Sequence, residues 1–457
     1  MAVPPSPFRA VLFLLAAAVA AVDAIGVNYG ILGDNLPPPA QVAQFLKDKT
    51  TIDRVKIFGV NADILQAFAG TGILVSVTIP NGEIPNLANI HYARRYIAAN
   101  IKPFHPQTKF QYILVGNEIL HWGPQDLRDN LVAAMHSVNK ALRLEKITGV
   151  KVTTAHSLGI LQPSDLPSLA RFTAGWDKDY LAPILEFHRQ TRTPFMVNPY
   201  PYFGYSPDKS DFALFRPNKG VYDKYIRRTY GNMFDLLLDS VYVSMKKLGF
   251  PDVEIAVGET GWASQGETYE QPKCSVANAA DYNGGLVRHY NAGRGTPLMP
   301  KRRFETYIFA LFNENQKTGS MAERNFGLFR PDFTAVYDVG IMRGGSGGGG
   351  GGGGAAPSKP TPAPPVTGSN KWCVPKAGAT DAALQNNINY ACGQGIDCQP
   401  IQPGGACFNP PTVRAHASFV MNTYYHAKGL QDFNCDFSGT GVVTSSDPST
   451  STCKYVS

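Results

Sequence analysis

The chain has 457 residues, 44% of them apolar, which is enough for one large domain and a smaller one. Its formal net charge is +7, but the 42 lysines and arginines are scattered with no basic run, so a nucleic-acid-binding arm is excluded. No Gly-x-Gly-x-x-Gly or Walker motif follows any apolar run, which removes support for nucleotide binding.

In chain order, the first element is a leader. Arg9 precedes an apolar stretch at 10–22, and a small residue, Ala24, stands just before Ile25. This is the pattern of a secretory signal peptide, and the stretch is too short to span a membrane comfortably. Residues 1–24 are expected to be removed, leaving an extracellular protein with no membrane span.

From residue 25 onward, strand-like apolar runs alternate with helical ones. Strands are expected at 25–30, 53–58, 73–80, 111–118, 151–157, 194–202, 253–260 and 306–315. Between them lie amphipathic candidates such as PAQVAQFLKDK (39–49) and GNMFDLLLDSVYVSMKKLG (231–249). Eight such strands with intervening helices point to an α/β fold, a (β/α)8 TIM barrel over 25–343, with a doubly wound open sheet as the alternative.

In a barrel, the residues that do chemistry stand where strands end. Three expected strands end in or near a glutamate: Glu118 in VGNE, Glu259 in IAVGET and Glu314 in FNEN. Asn117 precedes the first, and Asn198 and Tyr200 stand at the end of another strand. Carboxylates, amides and aromatics at one rim suit a sugar, whose hydroxyls need polar partners and whose ring faces need flat apolar ones. Breaking a glycosidic bond takes two carboxyl groups, and Glu118 and Glu259 are the expected pair. A retaining pair would stand about 5 Å apart and an inverting pair about 6.5–9.5 Å. Gly116 and Gly258 leave room for close approach. The plainer alternative is structural: Glu305 and Glu314 could pair with Lys317, Lys301 or Arg302. His91, His105, His121, His156 and His188 lack metal-ligand spacing and are expected to make ordinary hydrogen bonds, so no metal site is expected. Cys274 stands alone and is expected to be a buried or unreactive thiol.

A glycine tract followed by a proline-rich stretch at 344–369 reads as a linker, flexible first and then stiffer. Beyond it, 370–457 holds six of the seven cysteines: Cys373, Cys392, Cys398, Cys407, Cys435 and Cys453. An even set crowded into a short secreted segment reads as a disulfide framework, and six cysteines allow 15 connectivities. Helices are expected at 381–391 and 413–429.

At these motifs the chain resembles the plant endo-1,3-β-glucosidases of glycoside hydrolase family 17. The likeness runs from residue 25 to about 340 and rests on IGVNYG, VGNE, NPYPYF, VGETGWASQG and ETYIFALFNENQKTG. It implies a (β/α)8 fold, a retaining mechanism with Glu118 as proton donor and Glu259 as nucleophile, and no cofactor. It also implies substrate contacts among Asn117, Tyr29, Asn198, Tyr200, Glu305, Phe312, Glu314 and Lys317. Ala263 stands where that family usually has proline, which bears on the rigidity of the loop. The last segment resembles a carbohydrate-binding module of family 43, on WCVPK, GGACFNPPTVRAHASFVMNTYYH and CDFSGTGVV. That resemblance implies three disulfides and binding to 1,3-β-glucan, with Asp397, Tyr390, Tyr424 and Tyr425 as candidate contacts. For Tyr390 and Tyr424, filling the small core is the competing reading.

Taken together, the expectation is a secreted endo-hydrolase of 1,3-β-glucan in the cell wall, working as a monomer. No apolar tail closes the chain, so no glycolipid anchor is expected. The alternatives are a mixed-linkage 1,3-1,4-β-glucanase and a catalytically silent glucan-binding wall protein. Replacing Glu259 by glutamine is expected to remove activity and leave folding nearly intact.

Overall fold

Eight short runs, buried almost throughout, pair side by side in parallel, as strands covered by helices must. A computed structural model describes residues 25–343 and 371–456, apart from 394, 395, 403, 428, 429, 431 and 438. The expected leader at 1–24 and the expected linker at 344–369 lie outside the described residues. The strands are β1 (Gly26–Tyr29), β2 (Arg54–Phe58), β3 (Leu74–Ile79), β4 (Lys109–Asn117), β5 (Lys151–Ser157), β6 (Phe195–Asn198), β7 (Ile255–Thr260) and β8 (Thr306–Ile308). Each pairs with its sequence neighbours, and β8 closes on β1, giving a complete eight-stranded parallel barrel. The open sheet is thereby excluded. Among the described residues no helix is long and apolar enough to cross a membrane.

Alternation along β2 shows how the barrel is filled. Val55 and Ile57 face outward into the helix-packed core, while Arg54 and Lys56 are almost or wholly buried inside the barrel. A separate apolar cluster of Tyr112, Leu114, Ala155, Met196 and Ala256 fills the middle of the lumen. Charged groups sit toward its two ends.

Two expected strands are shorter than their apolar runs suggest. The run at 194–202 leaves the ladder after Asn198, because Pro199 and Pro201 cannot donate to it, and the chain turns into a short 3-10 helix at Pro201–Gly204. The run at 306–315 leaves after Ile308. Its backbone then bonds elsewhere, Ala310 N–H donating to Phe326 and Leu311 N–H to Asn28. Glu314 is therefore not at a strand end. The helices at Pro39–Lys49 and Met233–Lys247 fall where the periodicity predicts.

His156 on β5 and His188 on the helix Ala182–Thr191 both pack on Phe195, with ring centroids 4.8 and 6.0 Å away. His188 shares a 2.7 Å hydrogen bond with Thr193. Neither ring nitrogen of His156 has a partner among the described residues, so the expected ordinary hydrogen bond is not made there. Burial pushes both rings down from 6.5 to about 3. Between those values the unfolded chain takes up protons that the folded chain refuses. Stability from these groups is thus complete above pH 6.5 and falls as pH drops toward 3, by up to about 1.4 kcal/mol per pH unit per histidine. Urea unfolding between pH 7 and 4.5 should show a shallower acid slope in His156→Phe; an equal slope would show that His156 does not titrate on unfolding.

The second unit is small and stapled. Strands β9 (Trp372–Pro375) and β10 (Gly441–Thr444) pair antiparallel, and the helices Asp381–Gly393 and Val413–Ala427 pack on each other. Disulfides join Cys373 to Cys435, Cys392 to Cys398 and Cys407 to Cys453. They supplement a core too small to hold such a segment comfortably by itself. Cys274, in the barrel, is a buried free thiol.

Candidate active site

The two glutamates reach one cleft because of irregularities in the strands that carry them. Between Leu114 and Asn117, β4 spends three steps where β5 spends two, from Thr153 to Ala155. Gly116 sits in that bulge at φ +71°, a conformation that suits glycine. Glu118 follows at φ 56°, a left-handed conformation uncommon for a non-glycine residue and of the kind that clusters at functional sites. A second slip occurs in β7, where Val257 to Thr260 face Thr306 to Ile308. It turns Glu259 into the lumen, whereas Thr260 bonds outward to Pro199 and Tyr282. A Cβ on Gly258 would lie 2.8 Å from Asn198 Oδ1, so the close approach expected there is real.

Each carboxylate is held by two donors. Glu118 Oε1 accepts from Asn198 Nδ2 at 2.8 Å, and its Oε2 from Trp122 Nε1 at 3.0 Å. Glu259 Oε1 pairs with Lys56 Nζ at 2.9 Å, and its Oε2 accepts from Tyr200 Oη at 3.1 Å. Lys56 is fully buried and Glu259, at the cleft wall, is only 7% exposed, so this ion pair is largely withdrawn from water. Burial, and then the charge of Glu259, push the Glu118 carboxyl above its usual range, against the hydrogen bonds from Asn198 and Trp122. Two carboxylates thus share one site in unlike surroundings: one is pushed toward its protonated form, and the other lies against a buried cation.

The cleft has a volume of about 630 Å³. Trp122, Tyr200, Phe203, Phe309 and Phe326 line it together with Asn198, Lys317 and Glu323. Lys317 Nζ lies 3.1 Å from Glu323 and 4.1 Å above the ring of Phe309. Among the described residues no group of acidic, histidine or cysteine side chains could hold a metal ion.

Residues 25–341 match the glycosyl hydrolases family 17, and residues 371–442 match the X8 domain. The chain belongs to glycosyl hydrolase family 17. It is 52% identical to a Triticum aestivum protein named glucan endo-1,3-beta-glucosidase, over 99% of this chain and all of that one. It is 44% identical to an Olea europaea glucan endo-1,3-beta-D-glucosidase, over 95% and 93% of the two chains. Among solved structures it is similar to a beta-1,3-glucanase and allergen of Cryptomeria japonica pollen, with a TM-score of 0.65 and 39% identity over 70% of this chain and 99% of that one.

Within this family 17 barrel, the expected contacts divide. Asn198, Tyr200 and Lys317 line the cleft with Glu118 and Glu259. Asn117 stands beside Glu118, its backbone exchanging bonds of 2.8 and 3.1 Å with the Asn81 side chain. Tyr29 and Phe312, both 2% exposed, pack edge-to-face in the core instead of facing the cleft. Glu314 is buried and accepts from Leu32 N–H at 2.7 Å, so it braces the loop after β1. Glu305 precedes the first residue of β8 and therefore lies at the opposite end of the barrel. There it accepts from Gln111, Tyr112 and Tyr307 and faces Arg54 at 3.6 Å. It is structural, but with partners other than the lysines and arginine expected. The loop bearing Ala263 is tied down by Ser264, which donates to Asn325 from both backbone and hydroxyl.

Lys56, Trp122, Glu323, Phe309 and Phe326 were not expected at the site. Only Lys56 carried a usable signal, a lone lysine inside an apolar strand run, where an unpaired charge would be too costly to bury. In the second unit, the match is to the X8 domain. Tyr425 is wholly buried, its hydroxyl bonding to the Leu430 carbonyl, and Tyr424 is 9% exposed, so both fill the core. Asp397 is exposed and accepts from Gln399 N–H at 3.0 Å within its own turn. The Tyr390 side chain lies outside the described residues.

Proposed function

We propose that this protein is an endo-hydrolase of 1,3-β-glucan acting by double displacement with retention. The observation that carries this reading is the pair of unlike carboxylates, Glu118 and Glu259, facing one aromatic-walled cleft. Glu118 passes its proton to the glycosidic oxygen while Glu259 attacks the anomeric carbon, and the leaving sugar departs with that proton. Water then gives a proton to Glu118 and its oxygen to the anomeric carbon, which frees Glu259. The hydroxyl of Tyr200 and the ammonium of Lys56 hold the nucleophile's two oxygens.

The X8 unit supplies a second glucan-binding surface that keeps the barrel close to its polymer. Three disulfides and the leader-like first 24 residues support action outside the cell, in the wall. The test is incubation of the mature protein with laminarin and, in parallel, with mixed-linkage β-glucan, following reducing ends, product sizes and anomeric configuration. Short β-configured products from laminarin support the reading. Strong release from mixed-linkage glucan moves the substrate, and binding without release makes the protein a wall-binding one.

A further inference from the structure

Trp122 is 72% exposed, an unusual position for so large an apolar side chain in a folded protein. It lies one helical turn after Glu118, on the short helix Ile119–Trp122, and its indole N–H reaches back to Glu118 Oε2. The ring is held from behind by His121, whose centroid is 4.3 Å away at an interplanar angle of 83°. His121 is in turn packed so closely over Gly159 that any Cβ there would collide with its ring. The indole is thus braced on one side, bonded to the acid at its edge and open to the cleft. Glu118 has only two carboxyl oxygens, and the other accepts from Asn198.

We propose that Trp122 is a positioning residue for the proton donor and, with the same ring, the platform for the leaving sugar. This rests on the reading of Glu118 as the acid. The sugar whose oxygen receives the proton must lie against Glu118, and the indole is the flat apolar surface bonded to that carboxyl. Pyranose rings stack on such faces. The indole N–H steadies the carboxylate that proton transfer creates, and so favours the transfer as the bond breaks. A sugar seated on the ring also covers this otherwise exposed hydrogen bond and excludes water from it, which strengthens it when it is needed.

The two roles separate by substitution. Trp122→Phe keeps a ring face and removes the N–H, whereas Trp122→Ala removes both. With laminaripentaose, Trp122→Phe should lose roughly three- to tenfold in kcat with little change in KM. Its alkaline limb of kcat/KM should move up by about half a pH unit, because the carboxylate of the acid has lost a donor. Trp122→Ala should raise KM as well, by about tenfold, and should lower the share of products formed by transfer to added laminaribiose. An unmoved alkaline limb in Trp122→Phe would overturn the positioning role, and an unchanged KM and transfer share in Trp122→Ala would overturn the platform. Glu118→Gln is the separate control. If that variant keeps wild-type turnover, it is the assignment of the acid that fails, whatever the tryptophan variants do.

Discussion

Glu259→Gln is expected to lose at least about a thousandfold in turnover of laminarin, since an amide cannot form the glycosyl-enzyme. The structure changes what should accompany that loss. From the sequence, the substitution reads as nearly neutral for folding. Glu259, however, is the partner of Lys56, which is fully buried, and the pair stands at 2.9 Å. Removing one member of a buried pair leaves the other charge without compensation, at a cost of about 3–5 kcal/mol. Glu259→Gln should therefore unfold at markedly lower urea than the wild type, while Glu118→Gln, whose carboxyl faces the neutral donors Asn198 and Trp122, should not. Equal midpoints for the two variants would contradict a buried, charged Lys56–Glu259 pair.

The complementary substitution, Lys56→Met, tests the same pair from the other side. Methionine fills much of the lysine stem's space and brings no charge. On its own it should destabilise by a similar few kcal/mol and lower kcat/KM on laminarin by about one to two orders of magnitude, because Glu259 loses the ammonium that holds one of its oxygens in place. Combined with Glu259→Gln it should recover most of the stability and none of the turnover. In a double-mutant cycle the two stability losses should fall short of additivity by several kcal/mol. Additive losses would mean that the ion pair contributes little, and that Lys56 is tolerated for some other reason. Its second contact, 4.0 Å above the Phe58 ring, is the available candidate.

The barrel was legible because its signal is local. Eight apolar runs of strand length, separated by helical periodicity, have few topologies open to them. The closed ring β1 to β8 follows the chain order. That Glu118 and Glu259 would stand at one cleft was legible for a related reason: a carboxylate at the end of a buried strand is costly unless it is paired or used. Strand ends were less so where proline or a change of partner intervenes, as after Asn198 and Ile308.

Sequence by itself determined the alternation of strands and helices, the placing of Glu118 and Glu259 at strand ends and the cysteine-stapled second unit, because each depends on residues close together in the chain or on composition. Only the tertiary structure decided which partners those residues meet. Lys56 and Glu259 are 203 positions apart, and nothing local to either names the other. Glu305 and Glu314 belong to the same motif, nine positions apart, yet one braces the lower end of the barrel and the other the loop after β1. Tyr29, Phe312 and Tyr425 resemble sugar platforms in sequence, but packing buries them and leaves Trp122 exposed beside Glu118. Aromatic rings serve cores and sugar sites by the same physics, so the direction in which a ring faces, set by the fold around it, is what separates the two.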